Sequence, residues 1–188
     1  MKTNKSNSKN FDTMSREDRA LNLFAEMMIE KIENINADWK KPWFTEGGIA
    51  WPRNLDGREY NGINTVMLLL LCERMKYRLP VFLTYNKCVS LNFNDTPQGR
   101  MPAVDAEGNR LPWVHVRKGE KSFPVMLTTF TVKGENGEKI RYEDYKLLSP
   151  EEKKKYRVFP ATLVYDVFNI SQTNIEDARP DLFETING

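Results

Sequence analysis

The apolar run from Val66 to Cys72 constrains the fold of this 188-residue chain more than any other feature. Its side chains cover nearly the whole surface of a helix, and a helix of that kind lies at the centre of a fold. The run is far too short to span a bilayer, which takes about 20 apolar residues. We therefore predict a central helix from about Asn64 to Tyr77, closed by Pro80.

The segment that leads into this helix is rich in turn formers. Asp56-Gly57-Arg58 is followed by Tyr60-Asn61-Gly62-Ile63-Asn64, directly before the apolar run. A sharp turn into a helix leaves backbone N–H groups without partners at the helix start, and such a start attracts anions, phosphate among them. A structural reading stays open, in which Asn61 and Asn64 cap the helix and Tyr60 packs beneath it.

Composition and charge place the chain among globular proteins. A hydrophobic content of 40% and an aromatic content of 11% are enough for a core and too high for general disorder. The net charge of +2 excludes a polycation, and no dense acidic surface of the kind needed to imitate DNA is encoded. The charge is uneven, because residues 72–88 and 110–121 each carry +3 whereas residues 174–188 carry −3. Basic segments interrupted by aromatic residues suit nucleic-acid contact without requiring it.

The N-terminus and the cysteines indicate the compartment. Residues 1–10 are polar and carry no apolar stretch, so we expect neither a signal peptide nor a membrane anchor. Cys72 lies within the predicted central helix, and without a secretory signal we expect it and Cys88 to stay free thiols. We expect a cytoplasmic protein that does not contact a membrane.

Helices come first along the chain and hairpin strands follow. Ser15 and Asp18 form the start of a helix that we predict to reach about Asn36. The later predictions are a strand at 81–83, a helix at 85–91 capped by Thr84, a loop at 92–112, strands at 113–116 and 123–132, a turn at 117–120 with Gly119 left-handed, a hairpin turn at 134–137 returning over 139–142, a short helix started by Ser149-Pro150, a strand at 162–168 and a turn at 169–174. This order predicts an α+β fold in which N-terminal helices pack on a mainly antiparallel sheet in a single domain.

Several segments occur in an order that resembles a known family. They are Trp39-Lys40-Lys41-Pro42-Trp43, Tyr60-Asn61-Gly62-Ile63-Asn64, Leu83-Thr84-Tyr85 with Val116-Arg117-Lys118-Gly119-Glu120-Lys121, and Tyr165-Asp166-Val167-Phe168-Asn169-Ile170-Ser171-Gln172-Thr173. Together they resemble the N-terminal domain of the ArdC antirestriction proteins over about residues 16–175. We accordingly expect a disordered tail at 1–14, the ArdC N-terminal-like domain at 15–175, and an acidic tail or the start of a linker at 176–188.

The resemblance implies single-stranded DNA binding with little sequence preference. Members of the family occur on conjugative plasmids and related mobile elements, where they are thought to protect the transferred strand from restriction. Many continue into a zinc metalloprotease-like domain with a His-Glu-x-x-His helix, which in a longer natural chain would be a partner of this domain. This sequence has one histidine, His115, so that zinc site is not encoded. The loop at 92–112 is longer than the family's usual connection.

The sequence gives no sign of an enzyme. It contains no Walker loop, no G-x-S-x-G motif and no clustered carboxylates with metal-ligand spacing. Cys72, Cys88 and His115 have the wrong spacing for known zinc sites. We expect no catalytic residue, no metal and no cofactor, since an enzyme would need a group that the sequence gives no place for.

The candidate binding residues are cations, rings and turn residues, because single-strand binders track phosphates with cations and stack bases on aromatic faces. They are Lys40, Lys41, Trp43, Arg58, Tyr60, Asn61, Gly62, Tyr85, Lys87, Arg117, Lys118, Gly119 and Lys121. Structural readings remain open for several of these segments: Trp39 and Trp43 could seal the first helix, and the turn at 117–120 could be an ordinary solvated turn. For Asn169 and Gln172 a role in holding the last turn is favoured over contact with a base.

A second function class also fits the sequence. Strand edges and the acidic C-terminal segment could make the chain a protein-interaction module that docks a protease, a primase or a restriction subunit. That alternative predicts a stable protein complex and no binding of an oligonucleotide.

Overall fold

The computed structural model describes residues 14–34 and 50–187 of the chain. Its elements in chain order are α1 (Arg16–Glu33), β1 (Arg53–Asn54), α2 (Ile63–Met75), β2 (Val81–Thr84), α3 (Tyr85–Ser90), β3 (Phe93–Thr96), β4 (Gly99–Pro102), β5 (Phe123–Gly134), β6 (Lys139–Ile140), α4 (Tyr142–Leu147), α5 (Pro150–Lys153), β7 (Tyr156–Asn169), a single 3-10 turn (Ile170–Gln172), α6 (Ile175–Ala178) and α7 (Pro180–Asn187). Five strands form a sheet in the order β1-β2-β7-β5-β6, and β3 and β4 form a separate hairpin. The predicted α+β class with a mainly antiparallel sheet is confirmed.

Helix α1 starts at the cap that the sequence predicts. The Asp18 backbone N–H donates to Ser15 Oγ over 3.1 Å, and the Ser15 hydroxyl donates to Asp18 Oδ2 over 3.0 Å. The helix ends at Glu33, three residues before the predicted end. Residues 35–49, with the Trp39-Lys40-Lys41-Pro42-Trp43 segment, lie outside the described residues.

Helix α2 occupies nearly the predicted range, but it is buried on one side only. Met67 and Leu68 are fully buried, whereas Val66 is 40% exposed. The helix ends at Met75, two residues before the predicted Tyr77, because Lys76 adopts a left-handed conformation with a φ of 55°. The alternative in which Asn61 and Asn64 cap the helix is not supported, since Gly62 holds the cap position and no side chain caps the helix.

Strand β2 is the buried centre around which the described residues of 21–125 and 166–187 form one compact unit. Val81, Phe82 and Leu83 are at most 2% exposed. Strand β1 pairs with β2 in parallel, and β7 pairs with it antiparallel, with Phe82 opposite Asn169. The predicted helix after this strand is confirmed, since Thr84 Oγ1 accepts the Lys87 N–H over 3.2 Å at the start of α3.

The second compact unit is formed by residues 126–165 with the described residues up to Ala20. The predicted hairpin turn is present, with Gly137 at a φ of 82°, but β6 is only two residues long. The predicted return strand through Tyr142 is wrong, because α4 begins there and the Tyr142 ring stacks on Phe130 with 4.2 Å between centroids. The predicted cap of α5 is confirmed, with Ser149 and Glu152 forming a capping box.

The segment 92–116 differs most from its prediction. Residues 92–112 were predicted as a loop, and they contain the hairpin of β3 and β4. Residues 113–116 were predicted as a strand, and they form an extended segment with one isolated bridge, from Val116 to Thr173. Val114 hydrogen-bonds to the buried Asn92 side chain and not to a neighbouring strand. Asn92 Oδ1 accepts the Val114 N–H over 2.7 Å, and the Asn92 amide donates to the Val114 carbonyl over 2.8 Å.

The acidic C-terminal segment is helical within the described residues. We expected a tail or linker over 176–188, and the structure forms α6 and α7 over 175–187. Ile175 is fully buried and Ile186 is 7% exposed. The acidic side chains of these helices lie outside while their apolar side chains join the core around β2.

Among the helices of residues 14–34 and 50–187, none is long and apolar enough to cross a membrane.

Candidate nucleic-acid interface

The basic turn at residues 117–121 follows the extended segment and leads into β5. The Glu120 N–H donates to the Arg117 carbonyl over 3.3 Å, and Gly119 has a φ of 89°, as predicted for a left-handed position. Lys118 and Lys121 are exposed. We predicted strands on both sides of this turn, which would place it at the tip of a hairpin; in the structure β5 follows it, but residues 113–116 directly before it form no strand.

Gln172 holds this turn in place from the last 3-10 turn. Its amide donates to Glu120 Oε2 and to the Lys121 carbonyl, each over 2.9 Å. Its backbone carbonyl accepts the Arg117 N–H over 2.8 Å. Gln172 is 5% exposed and Asn169, which donates its own N–H to Gln172 Oε1 over 2.8 Å, is fully buried. The favoured structural role of both residues is therefore confirmed, and the turn enters any binding event already ordered.

A cavity of about 170 Å³ lies beside the turn. Its lining comprises Arg78, Leu79, Arg117, Ile170, Ser171, Thr173, Glu176 and Phe183. The Arg117 guanidinium donates through Nη1 to the Ser171 carbonyl over 2.8 Å, which fixes one side of the side chain and leaves it 47% exposed. Arg78 was absent from the predicted site, although it lies in the basic stretch 72–88. Two guanidinium groups on one cavity form a surface that suits an anion.

A second group of predicted residues lies at the far end of β2. Arg58 is exposed, and its backbone N–H donates to Asn54 Oδ1 over 2.8 Å. Tyr85, at the start of α3, is 59% exposed. Lys87 is less available as a phosphate ligand, because its ammonium group lies 2.5 Å from Asp56 Oδ1.

Tyr60 is a structural residue rather than a free ring. Its ring meets Phe82 edge-on at 6.3 Å, and burial raises the pKa of its phenol. Its carbonyl accepts the Trp51 indole N–H over 3.0 Å and the Thr65 hydroxyl over 2.5 Å. Trp51, which is 42% exposed, provides an aromatic surface beside the start of α2. It was not among the binding residues predicted from the sequence.

The strand register shows which predicted residues come together. The Asn169 side-chain amide donates to the Leu79 carbonyl over 2.8 Å, so the basic turn lies at the amino end of β2. The Tyr60 N–H donates to the Pro52 carbonyl over 2.8 Å. Arg53, which follows Pro52, donates its N–H to the Pro80 carbonyl over 3.0 Å. Asn61 and Gly62 therefore lie at the same end, about three strand spacings or ~14 Å from the turn.

Arg58, Tyr85 and Lys87 are at the opposite end of β2. The four residues of that strand separate them from the basic turn by about 13 Å. Lys40, Lys41 and Trp43 lie outside the described residues. The predicted site residues thus fall into two groups at the two ends of one buried strand, and their contact with nucleic acid stays a prediction.

The thiols and carboxylates of the described residues form no site of their own. Burial raises the pKa of Cys72 to about 12 and also raises that of Cys88, and both are free cysteines. In the two described ranges, no group of three or more histidine, cysteine, aspartate or glutamate side chains is placed to hold a metal ion.

The fold and the site together define a small α+β domain that presents a fixed basic turn beside an arginine-lined cavity. Residues 18–168 match the family model of the N-terminal domain of anti-restriction factor ArdC, and the chain belongs to that family. The resemblance inferred from the sequence motifs is confirmed. A comparison with curated proteins found no match.

One solved structure agrees on the fold, and a second is reported beside it. The metal-free crystal structure of the antirestriction ArdC protein from plasmid R388 is 23% identical, with a TM-score of 0.50 over 84% of this chain and 42% of that one. The Mn(II)-bound structure of the same protein is 22% identical, with a TM-score of 0.46 over 82% and 40% of the two chains. The chain thus spans about two fifths of the length of these structures.

Proposed function

We propose that this chain binds single-stranded DNA with little sequence preference and serves in antirestriction for a mobile element. Family membership supports the antirestriction role, because the matched family is named for an anti-restriction factor and the similar solved protein is a plasmid-borne antirestriction protein. In this proposal the domain acts in the cytoplasm, where it covers the incoming single strand during conjugation.

The basic turn is the single observation that carries the proposal. Arg117, Lys118 and Lys121 project from a short segment whose backbone is fixed by Gln172. Because these hydrogen bonds already hold the backbone, phosphate binding does not carry the additional cost of ordering the loop. The left-handed Gly119 has no Cβ, so a phosphate can approach the backbone N–H groups of the turn closely.

Low sequence preference follows from the kind of contact. Phosphate contacts position a ligand without reading its bases. Exposed rings such as Tyr85 and Trp51, 59% and 42% exposed, accept any base because every base has a π-face. The proposed affinity therefore comes from phosphate neutralisation with a contribution from stacking.

Fluorescence anisotropy with labelled oligonucleotides tests the proposal. We expect the chain to bind a mixed-sequence single strand more tightly than the matching duplex, and the affinity to fall as salt rises because phosphate binding releases counterions. Equal affinity for unrelated single-strand sequences is also expected. Absence of binding at low salt, or a preference for the duplex, would overturn the proposal.

A row of exposed apolar residues on β7 favours the second candidate function, a protein-interaction module. Phe159, Leu163 and Tyr165 are 43–48% exposed and alternate along the strand, so they share one face with Ala161. The partner proposed for this face is a protein domain such as the metalloprotease-like domain of longer family members. Size-exclusion chromatography of the two purified domains tests it: this candidate predicts co-elution that Leu163→Lys abolishes, without any oligonucleotide binding.

A further inference from the structure

Residues 113–117 present their side chains in alternation. Val114 is fully buried and Val116 is half-buried, whereas Trp113, His115 and Arg117 are exposed. In an extended segment every second side chain points the same way, about 7 Å from the next. The three exposed side chains therefore form a row that leads from the basic turn towards the β3–β4 hairpin.

Trp113 lies at the end of this row and has the largest ring in it. Its indole is 52% exposed, and it meets the Phe93 ring edge-on at 5.5 Å between centroids. On β4, Arg100 places its guanidinium carbon 4.7 Å from the centroid of the same Phe93 ring. The hairpin thus supports one edge of the indole and leaves about half of its surface to solvent.

The backbone under this ring is fixed on both sides. The Trp113 carbonyl accepts the Asn174 side-chain amide over 2.9 Å, and the His115 N–H donates to Asn174 Oδ1 over 2.8 Å. Val114 is bonded twice to the buried side chain of Asn92. A large ring on a fixed backbone loses little conformational entropy when a flat ligand stacks on it.

We propose that Trp113, supported by Phe93 and Arg100, is a stacking subsite for an unpaired nucleobase. The subsite rests on the proposed function, since it extends the single-strand path from Arg117 by four residues, about 13 Å. Residues 92–112 carry a net charge of −1. Trp113 itself is uncharged, so replacing it removes a base contact and no phosphate contact, which separates its effect from that of the basic turn.

The test compares Trp113→Ala with the unchanged chain in binding a labelled single-stranded oligonucleotide. Stacking of a base on an aromatic side chain predicts an affinity about 5-fold to 150-fold lower in the variant. The slope of log affinity against log salt should stay the same, because no phosphate contact is removed. Trp113→Tyr should recover most of the affinity. Phe159→Ala is the matched control, since it removes another half-exposed ring, and it should leave the affinity unchanged.

An oligonucleotide with abasic positions separates stacking from a structural effect. On that ligand Trp113→Ala and the unchanged chain should bind alike. If Trp113→Ala does not fold, Trp113→Leu is compared with Trp113→Tyr, and the same loss is expected for leucine alone. Unchanged affinity of a folded variant for the normal oligonucleotide overturns the subsite and leaves the proposed function standing. Failure of the unchanged chain to bind any oligonucleotide overturns both.

Discussion

Arg117 and Asp177 form an ion pair at the edge of the cavity, with 3.5 Å between Arg117 Nη2 and Asp177 Oδ2. Both side chains are well exposed, 47% for the arginine and 78% for the aspartate. An ion pair in such contact with water contributes only about 0–1 kcal/mol. In the proposed function, a phosphate would bind the same edge of the Arg117 guanidinium that Asp177 contacts. The ion pair is weak enough for a phosphate to displace the carboxylate.

Asp177→Asn should therefore raise the affinity for a single-stranded oligonucleotide, by about 2-fold to 5-fold at low salt. The gain comes from removing a competing carboxylate, and it should shrink as salt screens the pair. Anisotropy titration of both proteins measures it. Glu184→Gln on α7 is the control, because it removes one negative charge from another exposed position of the same acidic segment. A lower affinity in Asp177→Asn, or the same gain in the control, would argue against Arg117 as a phosphate ligand.

Gly62→Ala should destabilise the fold through its backbone alone. Gly62 has a φ of 60° and a ψ of −134°, and no atom lies within 4 Å of the position that a Cβ would take. A residue with a Cβ in this conformation costs about 1–3 kcal/mol. Urea unfolding measures the loss. Asn61→Ala should change the free energy of unfolding by less than about 0.5 kcal/mol, since its exposed side chain does not cap α2; a loss as large as that of Gly62→Ala would point to a cap instead.

Asn169→Ala should be among the most destabilising single substitutions in this chain. The side chain is fully buried, its Oδ1 accepts the Ser171 N–H over 2.9 Å and its amide donates to the Leu79 carbonyl over 2.8 Å. Alanine removes both hydrogen bonds from a fully buried side-chain position, so we expect a loss of about 2–4 kcal/mol in urea unfolding. The exposed Asn86→Ala on α3 serves as control. Equal stability of the two variants would mean that this network contributes little.

Both cysteines should resist thiol reagents in the folded protein. The pKa of Cys72 is raised to about 12 and that of Cys88 is raised as well, so at pH 8 less thiolate is present than in an exposed cysteine. Labelling followed by absorbance should be slow in buffer, and in denaturant both thiols should react quickly. Fast labelling of one thiol in buffer would show that its helix opens readily.

Local signals were predicted well from the sequence. The caps at Ser15, Thr84 and Ser149 depend on side chains three residues from the groups they bind, so the sequence alone identifies them. The left-handed Gly119 and the hairpin turn at 134–137 were also predicted locally, because glycine adopts a positive φ at little cost. The fold class was predicted from the order of the elements, since helices come first along the chain and hairpin strands follow.

Long-range pairing could not be predicted in the same way. Exposed and buried side chains do alternate over residues 113–116. The segment nevertheless hydrogen-bonds to the side chain of Asn92, where we expected a neighbouring strand. The hairpin of β3 and β4 was missed because its exposed, polar residues give no strand pattern. Arg78 and Arg117 meet at one cavity although 39 positions separate them in the sequence. Such a meeting depends on the strand register, which local patterns do not specify.

The double variant Lys118→Gln/Lys121→Gln tests the central claim most directly. The measurement is how its affinity for a single-stranded oligonucleotide depends on salt. If the basic turn neutralises two phosphates through these lysines, affinity falls and the slope of log affinity against log salt becomes shallower by about 1.4, or 0.7 for each contact. Lys154→Gln combined with Lys155→Gln, which removes two exposed lysines next to α5, should leave the slope unchanged. If the double variant Lys118→Gln/Lys121→Gln shows the same slope as the unchanged chain, the account is contradicted.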